Sequence, residues 1–308
     1  MSTALVDPRA SVRAYLEAAA ASNTRKAYKS DWKDFSAWCE RAGKAALPAE
    51  PIDVATYLAQ LADRGIKATT IQRRIASIRA AHLAAGLEPP TNAEGVKATM
   101  RGIRRSKGTR PVKKKAVTDD VLAGLLGFFP ATLCGTRDRA MVLLGFAAAL
   151  RRSELAALEV ADIERRPKGI LLHLRRSKTD QEGKGAVIPV PRGKALRPVA
   201  ALEAWLDAAG ITEGPIFRSI DRHGNVGAEA ISDHAVAEII KKVCRAAGLD
   251  AGAFSGHSLR SGFITSSLDR GEDYFKVMGI SRHKKVDTLR EYDRRESDFD
   301  DHAGGEFL

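Results

Sequence analysis

Residues 140–155 read AMVLLGFAAALRRSEL. The first eleven of these, 140–150, carry no charge. That run falls short of the roughly 18 apolar residues of a membrane span, so it reads as a helix buried in a core. An arginine, Arg151, ends it, and Glu154 follows at a spacing that lets a carboxylate hold a guanidinium on one helix face. A surface ion pair would have the same spacing. Downstream comes the one β-rich region. Gly169-Ile-Leu-Leu-His-Leu and Ala186-Val-Ile-Pro-Val read as strands around a polar loop, residues 177–185. After Pro198 the chain reads as helical again, with a glycine-containing turn over residues 221–227.

Upstream the pattern is helical throughout residues 11–105. Asn23 or Thr24 can cap a helix on which Tyr28, Trp32, Phe35 and Cys39 recur at helical spacing. Pro51 fits the first turn of a second helix. A third starts near Thr69–Thr70 and places Ile71, Ile75, Ile78 and His82 on one face. A short fourth covers about 94–105. Thr118 followed by two aspartates reads as the next helix start. The expected fold is mainly α: an all-helical N-terminal domain over 1–105, a basic linker over 106–115, a mixed α/β domain with a small antiparallel sheet over 116–295, and an acidic tail over 296–308.

Charge follows the same division. Residues 1–115 hold 22 Lys and Arg against 10 Asp and Glu, whereas residues 116–308 hold 28 of each. Residues 97–115 carry nine basic side chains, Arg101, Arg104 and Arg105 among them, and no acid. A stretch of one sign suits a polyanion, because neutralised phosphates release condensed counterions. A solvated linker is the blander alternative. Cys39, Cys134 and Cys244 lie far apart and form no CxxC pair, which suits a reducing, cytoplasmic setting. No signal segment or membrane span is expected.

Three further places carry chemistry. Gly256-His257-Ser258-Leu259-Arg260 sets a histidine and an arginine three apart, behind a glycine that permits close approach of backbone or phosphate. His283 precedes Tyr292 by nine residues. Lys178 lies in the polar loop, with Lys184 as its rival. Each is weak alone. Together they suit phosphoryl transfer without a metal. A phenol with a pKa near about 10 needs a base or a cationic site, a pentavalent phosphate needs fork-like donors, and a leaving oxygen needs a proton. No metal-ligand spacing and no phosphate-binding Walker loop is present, so neither metal nor cofactor is expected.

This ordered set resembles the tyrosine recombinases, also called phage integrases, over about residues 22–295, and looks closest to their Cre recombinase group. Arg151 with Glu154, Lys178, His257 with Arg260, His283 and Tyr292 fall on the family's motif positions in order. The resemblance implies cleavage and rejoining of DNA by Tyr292 through a 3′-phosphotyrosine. Arg151, Arg260 and His283 would bind the phosphate, and Lys178 would protonate the 5′-oxygen. His257 would assist Tyr292, and Glu154 would orient Arg151. It implies a helical core-binding domain with Lys26, Ala27, Ser30, Thr69 and Arg73 toward the major groove, Arg222 on a phosphate and His234 on a base. The partners implied are double-stranded DNA with an inverted-repeat site and a homo-tetramer on two such sites, the tail docking on a neighbour. The outcome would be integration, excision or resolution. Two positions depart from the usual pattern: Arg282 stands where many members have glycine, and Ser261 where many have histidine. A topoisomerase-like relaxing enzyme, a non-catalytic DNA-binding protein and an RNA-binding or structural helical protein are the rivals.

Overall fold

A computed structural model describes residues 22–108, 114–175 and 185–292. The chain divides into two compact units, at residues 112/113. The first holds α1 (Ser22–Arg41), α2 (Pro51–Asp63), α3 (Ala68–Ala84) and α4 (Glu94–Lys107). Phe35, Val54, Tyr57, Leu58, Ile71 and Ile78 form its core. The expected helical periodicities thus pack inward, with starts shifted by a residue or two. His82 is fully buried, its Nε2 accepting from Ala49 N–H at 3.0 Å and its Nδ1 lying 2.8 Å from the Ile78 carbonyl. Asp31 of α1 and Arg73 of α3 form a two-pronged ion pair, with Oδ2–Nε at 2.9 Å and Oδ1–NH2 at 3.0 Å.

The second unit begins with α5 (Asp119–Leu125) and α6 (Leu133–Ala147), followed by α7 (Arg152–Ala156). Strands β1 (Ile163–Arg166), β2 (Gly169–Leu174) and β3 (Ala186–Pro191) make an antiparallel sheet in that order, with Leu172 opposite Ile188. Next come α8 (Pro198–Ala209), the hairpin β4 (Arg218–Ile220) and β5 (Val226–Ala230), α9 (Asp233–Ala246), α10 (Ser258–Asp269), α11 (Tyr274–Ser281) and α12 (Val286–Arg290). Trp205 sits fully buried in the main core, its indole donating to the Ile216 carbonyl at 2.8 Å. Among the described residues no helix is long and apolar enough to cross a membrane.

Three local features go beyond the sequence reading. β1 and the β4–β5 hairpin were not anticipated: they are three to five residues long and largely solvent-facing, so they leave little alternation to see. The turn expected at 221–227 is the loop of that hairpin, where the Asp221 carboxylate accepts from the backbone of His223 and Asn225 at 2.7 and 2.9 Å. Thr118 occupies the N-cap of α5 but makes no side-chain cap; the Ser266 hydroxyl accepts the Asp119 N–H instead, at 2.9 Å. That bond ties α5 to α10. The segment entering α5 also meets α10 closely, because a Cβ on Gly262 of α10 would lie 1.7 Å from the Val117 carbonyl oxygen. Only glycine fits there.

Candidate active site

Arg151 does not end the apolar helix. α6 stops at Ala147, Ala149 turns the chain through the left-handed region at φ +46°, and Arg151 becomes the N-cap of the short helix α7. Glu154, three residues in, is 7% exposed and accepts twice from Arg151: from its backbone N–H at 2.9 Å and from NH1 at 2.6 Å. The expected pairing is therefore present, but as a buried helix-cap arrangement rather than a surface ion pair. Its other partner had not been foreseen. Arg282 donates from NH2 to Glu154 Oε2 at 2.5 Å.

His257 caps α10 and Arg260 sits in its first turn. Arg260 is 1% exposed. Its NH1 donates to the Ala149 carbonyl at 2.7 Å and its NH2 to the Ser281 carbonyl. Burial, then the neighbouring Arg151 and Arg282, push its pKa down to about 9. It still carries its charge at neutral pH. The glycine before His257 makes room for a side chain, not a backbone: a Cβ on Gly256 would meet Arg152 Cδ at 2.9 Å.

His283 follows α11, whose C-cap Arg282 is left-handed at φ +58°. Its Nδ1 lies 2.9 Å from the Ser281 hydroxyl and 3.5 Å from Arg260 NH2. Burial, reinforced by Arg260 and Arg151, lowers its pKa to about 4, so the ring is neutral at physiological pH. Loss of hydration, with the same two arginines, also holds the His257 pKa below its ordinary value.

Tyr292 completes the group. Its hydroxyl lies 2.9 Å from His257 Nε2, and its ring centroid is 5.9 Å from that of His283. The ring packs against Ile264, Leu268, Val277 and Leu289. Desolvation raises the phenol pKa, while Arg260 and Arg151 pull it back. Six of the seven expected residues thus converge from α7, α10 and the segments after α11 and α12. Lys178 and its rival Lys184 lie outside the described residues. The strand leading to them is anchored beside the site, because Arg175 is held by Asp162 at 2.8 Å and Glu159 at 3.0 Å, on a hollow that Glu154 also lines. Among the described residues no three His, Cys, Asp or Glu side chains group as a metal site would require.

The residues expected to face DNA lie on both units. Lys26, Ser30, Thr69 and Arg73 are exposed on α1 and α3, with Ala27 partly so, and Asp31 fixes the fork of Arg73. Arg101, Arg104 and Arg105 are exposed on α4, whose Val96, Met100 and Ile103 face inward. Arg104 reaches Gln72, beside Arg73, at 2.8 Å, so the two basic stretches adjoin. Arg222 is exposed on the β4–β5 loop and His234 in the first turn of α9.

A fold of this kind, with arginines and histidines from distant segments gathered on one tyrosine, suits an enzyme of phosphoryl transfer, and the comparisons specify which. Residues 115–298 match the phage integrase family and residues 13–86 the phage integrase N-terminal SAM-like domain. An integrase/recombinase XerD homolog of Selenomonas ruminantium is 40% identical over 294 residues, covering 94% of this chain and 86% of that protein. Recombinase Cre of Escherichia phage P1 is 27% identical over 293 residues, covering 88% and 84%. A lambda integrase dimer bound to a COC′ core site shares the fold at a TM-score of 0.62 and 20% identity, covering 91% of this chain and 74% of that one. The chain belongs to the phage integrase, or tyrosine recombinase, family and is a site-specific recombinase. The likeness to Cre holds, but the XerD-like relative resembles the chain more.

Proposed function

We propose that Tyr292 attacks a phosphodiester of a specific DNA site, forming a 3′-phosphotyrosine and freeing a 5′-hydroxyl, and that a 5′-hydroxyl from a partner duplex then displaces it. The observation that carries this reading is the 2.9 Å approach of His257 Nε2 to the Tyr292 hydroxyl. A neutral imidazole can accept the phenolic proton at that distance, and the depressed His257 pKa keeps it neutral. Arg151 and Arg260 then supply fixed positive charge where the pentavalent phosphate gains negative charge. Neutral His283 adds a hydrogen-bond donor, and Glu154 holds Arg151. Lys178 protonates the departing 5′-oxygen. The covalent link conserves the bond energy, so the exchange needs no nucleotide hydrolysis.

Lys26, Ala27, Ser30, Thr69 and Arg73 form the proposed major-groove face, with Arg101, Arg104, Arg105 and Arg222 on phosphates and His234 at a base. The site is an inverted repeat, and the working assembly is a homo-tetramer on two duplexes in the cytoplasm. An apolar hollow of about 650 Å³, lined by Phe146, Leu196, Phe263 and Ile280 among others, offers the tail of a neighbour a seat. Deleting residues 297–308 is expected to abolish pairing of two sites while single-site binding persists; unchanged pairing refutes the docking.

The central test is Tyr292→Phe. DNA recovered by selection from a random pool supplies the site. The variant should bind it as the wild type does and form no covalent adduct, and an adduct with the variant refutes the assignment.

A further inference from the structure

Arg282 was marked by the sequence only as an unusual residue before His283, yet it is built into the reaction centre at some expense. Its backbone is left-handed, a conformation that disfavours side chains other than glycine, Asn and Asp. Its side chain is only 10% exposed, and its Nε and NH1 are buried without a hydrogen-bond partner. Burial of a guanidinium with two unsatisfied nitrogens opposes folding. Its NH2 donates to Glu154, the carboxylate that also holds Arg151.

The charges explain why such a residue would be kept. Glu154 alone with Arg151 makes a neutral pair, and the carboxylate that orients the guanidinium also cancels its pull on a phosphate. With Arg282 on the other oxygen, the trio carries one net positive charge. Buried Arg260 adds a second. We propose that Arg282 is a positioning residue of the strand-transfer reaction: it neutralises Glu154, so that this carboxylate fixes Arg151 without cancelling its charge toward the scissile phosphate. The proposal rests on the reading of Tyr292 and its arginines given above. Arg282 acts through Glu154, its Nε and NH1 being buried.

The role predicts a particular coupling. On a nicked duplex carrying the selected site, which traps the covalent adduct, Arg282→Gln should slow single-turnover cleavage roughly 10-fold, the size of coupling within one ion-pair network. DNA affinity should hold. Arg282→Lys, which keeps the charge, should retain most of the rate, and Arg282→Gly, which suits the left-handed backbone but removes the charge, should be as slow as Arg282→Gln. In a Glu154→Gln background there is no carboxylate to neutralise, so adding Arg282→Gln should slow cleavage no further. A purely structural role would make the glycine variant the fastest of the three and the double variant additive; either result overturns the proposal, as does an unimpaired Arg282→Gln. Failure of the wild-type chain to form an adduct overturns the Tyr292 reading as well, which separates the two.

Discussion

Glu154→Gln should destabilise the second unit before it is tested for catalysis. The carboxylate lies 7% exposed, 2.6 Å from Arg151 NH1 and 2.5 Å from Arg282 NH2, with Arg260 close by. Removing its charge leaves three guanidiniums facing one another with no anion. Breaking a fully buried pair costs about 3–5 kcal/mol. Arg151 is 18% exposed and glutamine keeps one acceptor, which discounts the loss to about 2–3 kcal/mol. For a unit of this size each kcal/mol lowers Tm by about 2–4 °C, so the melt should fall by about 4–12 °C. Calorimetry at neutral pH reads it, with Glu154→Asp as the charge-keeping control. The drop should depend weakly on salt, because buried charges are poorly screened. A fall below about 2 °C would show that the arginines find their stabilisation elsewhere and would refute the reasoning.

Three other expectations concern His283, Gly262 and Lys178. His283 has its pKa lowered from 6.5 to about 4, so the unfolded chain binds the proton first as pH falls; stability should decline from about pH 6.5 toward pH 4, less so in His283→Gln, and an identical pH profile in that variant contradicts the burial argument. Gly262→Ala puts a Cβ 1.7 Å from the Val117 carbonyl oxygen and should cost about 1–3 kcal/mol in a denaturant titration, with cleavage falling as α10 moves; a stable, active variant shows that the helix can shift freely. Lys178→Ala should slow cleavage and regain speed on a substrate whose 5′-bridging oxygen is replaced by sulfur, a leaving group that needs no proton, whereas rescue of Lys184→Ala alone would transfer the role to Lys184.

The parts of the fold readable in the sequence are those in which periodicity and burial coincide. Phe35 and Cys39, or Ile71 and Ile78, recur at helical spacing because one helix face meets the core. The site was legible through ordered spacing: Arg151 with Glu154, His257 with Arg260, and Tyr292 nine beyond His283. Two features lay beyond that reading. A run as apolar as 140–150 gives no sign that Ala149 turns left-handed, since alanine carries no mark of positive φ. Nor does anything near Arg282 announce Glu154, which lies 128 residues earlier and meets it only through the packing of α11 against the rest of the unit.

Arg260 shows how six residues spread from 151 to 292 hold one geometry. Its two terminal nitrogens donate to the carbonyls of Ala149 and Ser281. The first is itself a left-handed residue and the second precedes one, Arg282. Arg151 stands two residues after Ala149 and His283 two after Ser281. One guanidinium therefore sets the exit direction of both segments, and the positions of Arg151 and His283 follow from it. Replacing Arg260 by lysine keeps the charge but leaves a single nitrogen to serve two carbonyls on different segments. Its effect on cleavage should exceed the loss of one phosphate contact, because Arg151 and His283 would lose their placement together. In a double-variant cycle, Arg260→Lys should make a second change at His283 nearly silent. Additive losses would mean that the two turns stand without the fork and that Arg260 acts on the phosphate alone.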